Sequence, residues 1–416
     1  MTTPSITSLP SAKITSTQKK TLAAAALGWA LDAFDVMLYA LVLAYVMRDL
    51  GMTKAVAGFL GTLTLLASGI GGVMFGFIAD RIGRTKALML SILTYSVCSF
   101  ASGLATSIAM LAVFRFILGL GMGGEWNTGA TLVAETWPAH LRARALSAVQ
   151  SSWALGYAAA ALVAGLMLRH FNWRYVFFVG IVPALVTLWI QYSVPESEMW
   201  KEKRDSLDAQ AHETAFSQIF QPRYLKTTVA LLLLNFFGMF AWWGLFTWLP
   251  PYLSLPVSEG GRGFGVMDST RLLLVLNIVG MFPGYASFGW VADKLGRRTS
   301  FILYTGCAAV LVPFYAMARS QSAIMVLGAM VAFFGTGFFS GSGIMGSEVF
   351  PTAVRARALG FTYNGARAMS SVAPLVVGYV AQSHGLSGAF YLCAAAFLLA
   401  AIMGTQLPET LGKQME

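Results

Sequence analysis

The stretch GFIADRIGR at residues 76–84 decides the fold, because the chain carries the same pattern twice. A shift of 213 residues places it on GWVADKLGR at 289–297, and the same shift places Glu135 on Glu348. One register serves all of these positions, so the two halves of the chain are an internal repeat.

The composition indicates that the repeated halves lie in a bilayer. Of 416 residues, 57% are hydrophobic and 11% are charged, whereas soluble domains carry about 25% charged residues. A spanning helix needs about 20 apolar residues. Twelve segments meet this need: 21–47, 55–79, 86–106, 108–135, 145–169, 173–193, 225–253, 270–292, 299–318, 322–348, 356–383 and 387–407. The sequence therefore predicts an all-α membrane protein of twelve transmembrane helices in two pseudo-symmetric six-helix bundles. Such a pair of halves is typical of a transporter with its site where the halves meet.

The loops predict the division of the chain and its orientation. We expect six-helix bundles at 21–194 and 225–407, a polar cytoplasmic linker at 195–224, and cytoplasmic tails at 1–20 and 408–416. With the N-terminus inside, 19 Lys and Arg residues fall in cytoplasmic tails and loops and 7 in outer loops. This bias follows the positive-inside rule, so both termini are expected in the cytoplasm and the chain in the inner (plasma) membrane.

Several function classes are disfavoured. The net charge of +10 comes from short loops and forms no basic stripe among stacking aromatics, so no nucleic-acid partner is expected. The three cysteines lie in apolar segments without metal-ligand spacing, and no metal site is expected. The chain carries no HExxH, nucleophile elbow or Walker motif, which argues against an enzyme, catalytic residues or an ATP-driven pump. The glycines of 119–124 lie in an apolar segment and are attributed to helix packing, with no cofactor.

The repeated loop resembles the signature loop of the major facilitator superfamily, although Lys294 replaces the usual Arg in the second copy. Pro195-Glu196 and Pro408-Glu409 are similar to the signatures that follow the sixth and twelfth helices of that family. In that family the loop Asp and Arg form a charge cluster with an acid at the end of helix 4. The resemblance implies a gating charge cluster, in two copies, at Asp80, Arg84, Glu135 and Arg144, and at Asp293, Arg297, Glu348 and Arg357.

Within that superfamily, the chain resembles proton-coupled organic-acid symporters. LDAFD at 31–35 is similar to the paired-aspartate motif of aromatic-acid, niacin and sialic-acid symporters. GGE at 123–125 is similar to the sialic-acid and lactate type, and GAR at 365–367 to the aromatic-acid and niacin type. The stretch 151–157 lacks the Gly-Pro signature of drug exporters. The resemblance implies symport of an organic acid and leaves the substrate open.

Five ionisable residues are expected well inside the membrane: Asp32, Asp35, Arg115, Glu125 and Arg367. A charge at the bilayer centre costs about 2.5–3.5 kcal/mol, so these residues must face a protected polar cavity. Nearby acids raise each other's proton affinity, and we predict that Asp32, Asp35 and Glu125 are proton-coupling residues. Two alternatives stay open, in which the aspartates merely pair with an Arg and Glu125 merely pairs with Arg115. Arg115 is expected to be structural, and Arg367 to bind a carboxylate through its planar fork.

The seventh segment carries an aromatic stripe that is absent from the first segment. Its aromatic residues are Phe236, Phe237, Phe240, Trp242, Trp243, Phe246 and Trp248. Such a stripe more often serves helix packing or lies at the membrane interface. Here, however, the first segment supplies charges and the seventh an apolar wall, which suits a cavity for an organic anion with an apolar body. The predicted substrate-binding residues are Arg367, Tyr39, Trp242, Trp243, Trp248, Tyr157, Tyr363 and Asn364.

These observations predict a secondary active transporter, a monomer whose partners are a small organic anion, a proton and the lipid bilayer. It is expected to move a carboxylate, with aromatic monocarboxylates among the candidates, into the cell with a proton by alternating access. The alternatives are an uncoupled facilitative carrier and a proton-coupled transporter of sugar-like or sialic acids. If the three acids and two bases form two salt bridges, one acid is left to hold a proton, and symport of a monocarboxylate is electroneutral.

Overall fold

The computed structural model describes residues 14–198, 219–350 and 358–411, and in these ranges the chain is helical with short connections. The first half contains α1 Ser16–Leu50, α2 Lys54–Ile82, α3 Arg84–Ser102, α4 Ile108–Thr136, α5 Ala139–Met167, and α6, formed by Trp173–Phe178 and Val182–Ser193 around one 3-10 turn. The second half contains α7 Pro222–Ser254, α8, formed by Val266–Val275 and Phe282–Leu295, α9 Arg297–Met317, α10 Gln321–Val349, and a final segment, Ala358–Thr405.

The final segment contains two helices. Gly385 has φ 69°, a left-handed conformation that ends one helix and begins the next. We call the part before Gly385 α11 and the part after it α12. By length and hydropathy, ten helices of the described residues are able to span a membrane. The shorter α3 and the break at Gly385 bring the number to twelve, which confirms the predicted fold class.

Helix ends follow the local sequence. The Thr15 hydroxyl accepts from the Gln18 amide, and the Gln18 side chain accepts from the Thr15 amide, so this capping box starts α1 inside the segment that was predicted to be a tail. Ser107 and Ser320 cap α4 and α10 in equivalent positions of the two halves. Gly51 ends α1 with φ 63°.

Two helices of the second half, α8 and α11, contain π turns. One turn, Leu276–Met281, joins the two parts of α8, and the other, Phe361–Gly365, lies in α11 directly before Arg367. A π turn inserts an extra residue and rotates the side chains that follow, and such turns are frequent at functional sites.

Glycine lets the helices of the first half touch backbone to backbone. A Cβ on Gly123 of α4 would collide with the Ser68 carbonyl of α2, and a Cβ on Gly156 of α5 would collide with the Ala30 carbonyl of α1. The glycines of 119–124 therefore serve close packing, as expected.

The two halves also touch, at the end of the bundle away from the signature loops. Gly58 of α2 lies against the Pro374 carbonyl of α11, and the neighbouring Thr62 hydroxyl accepts from the Leu375 amide at 3.3 Å. Lys54 Nζ donates to the Glu259 carbonyl at 2.7 Å. Small groups and backbone, rather than interlocking large side chains, close this end.

Candidate functional site

The paired aspartates lie at the centre of the first half. Asp32 and Asp35 of α1 are each 1% exposed. Asp35 accepts a hydrogen bond from the Ser99 hydroxyl of α3 at 3.1 Å. In each carboxyl group one oxygen is buried without a hydrogen-bond partner. The α1 helix therefore presents two carboxyl groups that the described residues satisfy only in part.

Glu125 of α4 is packed against the helix that carries the aspartates. A Cβ on Gly28, one turn before Asp32, would lie 2.5 Å from Oε1 of Glu125. Glu125 is 1% exposed, and its Oε2 has no hydrogen-bond partner among the residues described. A glycine on α1 thus gives room for this third acid beside Asp32.

Arg367 brings a cation from the second half toward these acids. It is 7% exposed, and its Nη2 is buried without a hydrogen-bond partner in the part of the chain that the structure describes. Its charge acts on both Asp32 and Glu125. The structure therefore brings together Asp32, Glu125 and Arg367, which belong to different halves of the repeat.

Arg115 packs against two neighbouring helices, and its charge acts on Asp35. Its Nε donates to the Thr64 hydroxyl at 3.2 Å, and its guanidinium carbon lies 4.6 Å from the centre of the Tyr39 ring. The Tyr39 hydroxyl donates to the Ala57 carbonyl at 2.9 Å. The alternative that pairs Glu125 with Arg115 is wrong in this structure, and these contacts favour the structural role expected of Arg115.

The supposed two salt bridges among the five intramembrane charges are also wrong. Within the part of the chain that the structure describes, the ion pairs formed within 4.0 Å involve none of these five residues. The Asp35 carboxyl accepts from a serine, and Arg115 donates to a threonine. The partners of Asp35 and Arg115 are thus neutral hydroxyl groups, and not the oppositely charged residues that the count of charges had suggested.

Aromatic side chains from both halves meet beside the acids. Trp29 of α1 contacts Trp153 of α5 at 4.8 Å between ring centres, and it contacts Trp126 of α4 at 4.6 Å. Trp153 in turn lies 6.0 Å from both Trp242 and Trp243 of α7. These five tryptophans form what we call the indole cluster. Their rings join the first half to the second.

Sequence reasoning found only Trp242 and Trp243 of this cluster. A signal for two others was present, since Trp29 lies one turn before Asp32 on the same helix face and Trp126 follows Glu125 directly. Trp153 has no predicted acid close to it in the sequence, so nothing in the sequence indicated that it belongs to this cluster.

The remaining predicted substrate-binding residues take three different positions. Tyr363 lies on the π turn of α11, 6.3 Å from Trp126, and Asn364 beside it is half-buried. Tyr157 of α5 is fully buried, and its hydroxyl has no hydrogen-bond partner. Trp248 donates to the Pro374 carbonyl at 2.9 Å and is fully buried where α7 meets α11.

The charge cluster of the first signature loop joins α2, α3 and α4. Arg84 Nη1 lies 2.6 Å from Asp80, and Arg84 Nη2 lies 3.2 Å from Glu135. Arg144, also predicted in this cluster, is exposed. The contacts hold the start of α3 to the ends of α2 and α4.

The second signature loop repeats these contacts. Arg297 lies 2.9 Å from Asp293 and binds Glu348 through Nε and Nη2, at 3.1 and 3.0 Å. The Thr410 hydroxyl also donates to Glu348. Arg357, the predicted fourth member, lies outside the described residues. The gating role of both clusters stays a prediction.

A glutamate caps the helix after each signature loop, a role that sequence reasoning missed. Glu196 accepts from the Arg84 amide at 2.7 Å, and Glu409 accepts from the Arg297 amide at 2.8 Å. Burial alone would raise the pKa of Glu409, but four backbone amides outweigh it and hold that pKa below its ordinary value. The sequence signal for this role was the position of both glutamates in the repeated Pro-Glu signatures.

Comparison with known proteins identifies the family. The sequence model of the Major Facilitator Superfamily matches residues 25–286 and 261–410. The chain belongs to the major facilitator superfamily. As such it is a transporter and not an enzyme, and its apolar helices make it a multi-pass inner-membrane protein.

Curated relatives extend along nearly the whole chain. It is 35% identical over 408 residues to the "Probable 4-methylmuconolactone transporter" of Cupriavidus pinatubonensis, covering 96% of this chain and 92% of that protein. It is 31% identical to the "Cis,cis-muconate transport protein" of Acinetobacter baylyi, covering 89% and 90%. It is 31% identical to the "Sialic acid transporter NanX" of Escherichia coli, covering 95% and 96%.

A solved structure supports the fold. The partially occluded, inward-open conformation of the xylose transporter XylE from E. coli superposes with a TM-score of 0.76. The two chains are 19% identical, and the match covers 96% of this chain and all of that one. The likeness concerns the arrangement of helices alone.

Proposed function

We propose that the protein moves a small organic carboxylate into the cell together with a proton, by alternating access between its two halves. One observation carries this proposal: Arg367 of the second half lies close enough to Asp32 and Glu125 of the first for its charge to act on both, and the indole cluster joins the two halves. In that arrangement Arg367 is available for the carboxylate, the acids for the proton, and the tryptophans for the apolar body of the substrate.

Arg367 supports the choice of a carboxylate. Its planar fork of donors matches the two oxygens of a carboxylate, and Nη2 is buried without a partner. A buried cation is costly unless an anion pairs with it and its hydrogen bonds are satisfied. An incoming carboxylate supplies both.

The three acids support proton coupling. An ionised carboxylate that is buried without a partner is costly, and a bound proton removes that cost. Asp32, Asp35 and Glu125 each keep one buried oxygen without a hydrogen-bond partner. One proton taken up with a monocarboxylate leaves the total charge unchanged, so the proposed cycle is electroneutral.

The relatives support an organic acid with an unsaturated body. Muconate is a conjugated dicarboxylate, and the relative named for it matches most of this chain; the proposal takes from it the unsaturated body and not the number of charges. The tryptophans provide flat apolar faces that suit such a body. The relative named for sialic acid keeps a polyhydroxylated acid as the second candidate.

Uptake into proteoliposomes tests the proposal. Radiolabelled niacin, cis,cis-muconate and xylose are offered to the purified protein with and without an inward proton gradient. We expect accumulation of a carboxylate, driven by the gradient, and none of xylose. Selective uptake of xylose, or carboxylate uptake that a proton gradient does not change, contradicts the proposal.

Variants of Arg367 sharpen the test. Arg367→Lys keeps the charge but loses the fork, so carboxylate affinity should fall by about tenfold or more, and Arg367→Ala should lower it further. Arg271→Ala is the matched control, since this Arg is exposed and forms an ion pair with the exposed Asp268. Unchanged carboxylate affinity in Arg367→Ala, measured by calorimetry, refutes the assigned role.

The proposed orientation places both termini in the cytoplasm, and the protein works as a monomer. A cysteine in place of Glu198, at the end of the first half, should resist an impermeant thiol reagent in intact cells. Efficient labelling there reverses the orientation.

A further inference from the structure

Three tryptophans of the indole cluster bury N–H groups that have no hydrogen-bond partner among the described residues. They are Trp29, Trp153 and Trp242, and each is at most 4% exposed. An indole nitrogen is a donor only, so an acceptor must come from outside the ring. A buried donor left unpaired costs about 1–3 kcal/mol.

Buried indoles elsewhere in the described part of the chain do find acceptors. Trp137 donates to the Gln18 carbonyl at 3.0 Å, and Trp173 donates to Asp49 at 3.1 Å. Trp248 donates to the Pro374 carbonyl. The fold thus satisfies indoles that serve packing, and the unpaired ones gather at one place.

That place lies at the junction of the two halves. The three unpaired indoles come from α1, α5 and α7, with ring centres 4.8 Å apart for Trp29 and Trp153 and 6.0 Å apart for Trp153 and Trp242. Trp29 precedes Asp32 by three residues, about 4.5 Å along the helix. The unpaired donors therefore lie within a small molecule's length of the acids on which the charge of Arg367 acts.

We propose that the transported carboxylate carries a second, uncharged hydrogen-bond acceptor, such as a lactone or ketone oxygen, and that Trp29, Trp153 and Trp242 bind it. This inference rests on the proposed function, in which Arg367 holds the carboxylate. The indoles then act on specificity, because a substrate without the second acceptor leaves their N–H groups unpaired.

The neutral character of the acceptor follows from the charges nearby. Indole N–H groups carry no net charge, and a second carboxylate among them would lack a cation. Arg115, the other intramembrane cation of the described residues, already stacks on Tyr39 and donates to Thr64. A carbonyl or ring oxygen needs no such cation.

A matched pair of ligands tests the inference. The first is the unsaturated five-membered lactone that bears an acetate group, and the second is cyclopentenylacetate, which has the same ring size and carboxylate but no ring oxygens. Calorimetry on the purified protein measures both dissociation constants. We expect the lactone acid to bind about tenfold more tightly, the worth of one buried hydrogen bond.

Tryptophan variants locate the effect. Trp153→Phe and Trp242→Phe keep an aromatic ring and delete the N–H, so each should reduce the preference for the lactone acid to about threefold or less. Loss of ring contact lowers the affinity for both acids alike, so the ratio of the two dissociation constants, and not either constant alone, reports the deleted N–H. Trp290→Phe, at an exposed position, is the control and should keep the full preference.

The outcomes separate the two proposals. If wild-type protein binds both acids equally, or if the variants weaken both equally, the second acceptor is not recognised although carboxylate binding stands. If cis,cis-muconate binds more tightly than the lactone acid, the acceptor is charged and the neutral assignment fails. If no carboxylate binds, the proposed function itself has failed.

Discussion

Gly28 offers a direct test of how Glu125 is held beside the aspartates. An alanine at this position would place its Cβ 2.5 Å from Oε1 and 3.3 Å from Cδ of Glu125. Carbon and oxygen atoms that are not bonded stay more than 3 Å apart, so the carboxyl must move by more than half an ångström. Overpacking a buried site in this way costs about 1–3 kcal/mol.

Gly28→Ala should therefore lower the thermal midpoint and reduce proton-driven uptake, since the Glu125 carboxyl is displaced from its position beside α1. Glu125→Asp shortens the side chain by one methylene and removes the atoms that the new methyl group meets. In the Glu125→Asp background, adding Gly28→Ala should therefore cost less stability than it costs in the wild-type protein. The expected coupling energy is about 1–2 kcal/mol, typical of residues in contact.

Gly129→Ala is the matched control. Its Cβ would lie 3.4 Å from the same Glu125 oxygen, an ordinary contact, so stability and uptake should be preserved. The assays are differential scanning fluorimetry and proteoliposome uptake on the single and double variants. If the two substitutions at Gly28 and Glu125 are additive, Glu125 does not lie against α1 and the geometry of the acid group is wrong.

Two further predictions concern residues outside the acid group. Trp248→Phe should lower stability by about 1 kcal/mol, because a buried hydrogen bond to the Pro374 carbonyl is lost. Carboxylate affinity should stay unchanged; a large loss of affinity without loss of stability instead places Trp248 in the substrate site. Since the folded-state pKa of Glu409 lies below the ordinary value of 4.5, its carboxylate stabilises the fold above that pH, and the contribution is lost as the pH falls through the lowered pKa. Glu409→Gln should therefore be less stable than wild type near neutral pH, and the difference in thermal midpoint should shrink as the medium is acidified; a difference that is independent of pH refutes this.

The helices were predictable because the bilayer leaves few choices. A run of about 20 apolar residues has to be a helix, and the repeat fixed which helices correspond. The intramembrane charges were predictable for the same reason, because each is costly and stands out against its surroundings. Their pairing was not, because apolar periodicity does not tell which way each helix is turned.

One error was avoidable from geometry alone. Arg115 and Glu125 are ten residues apart on α4, which separates them by about 15 Å along the axis and turns them about 80° apart. They were therefore poor partners from the start. The same arithmetic places Trp248, six residues after Trp242, about 120° away around the helix, so the two side chains point in different directions.

The indole cluster depends on contacts that a single sequence does not contain. Its members come from four helices of both halves, and their meeting depends on helix rotation and on the glycines that bring α1 and α5 together. The π turn before Arg367 is likewise hidden, because FTYNG at 361–365 reads as an ordinary apolar stretch.

The way the halves close has an energetic consequence for the transport cycle. At the end away from the signature loops they are joined by the Lys54 and Thr62 hydrogen bonds, an exposed pair of Arg48 with Glu259, and glycine against backbone. Each polar contact is worth about 1 kcal/mol or less, because water replaces it on separation. One proton moving down a difference of two pH units releases about 2.7 kcal/mol. If transport is coupled to one proton, as proposed, the work of breaking these polar contacts is of the same order as the work that the proton delivers.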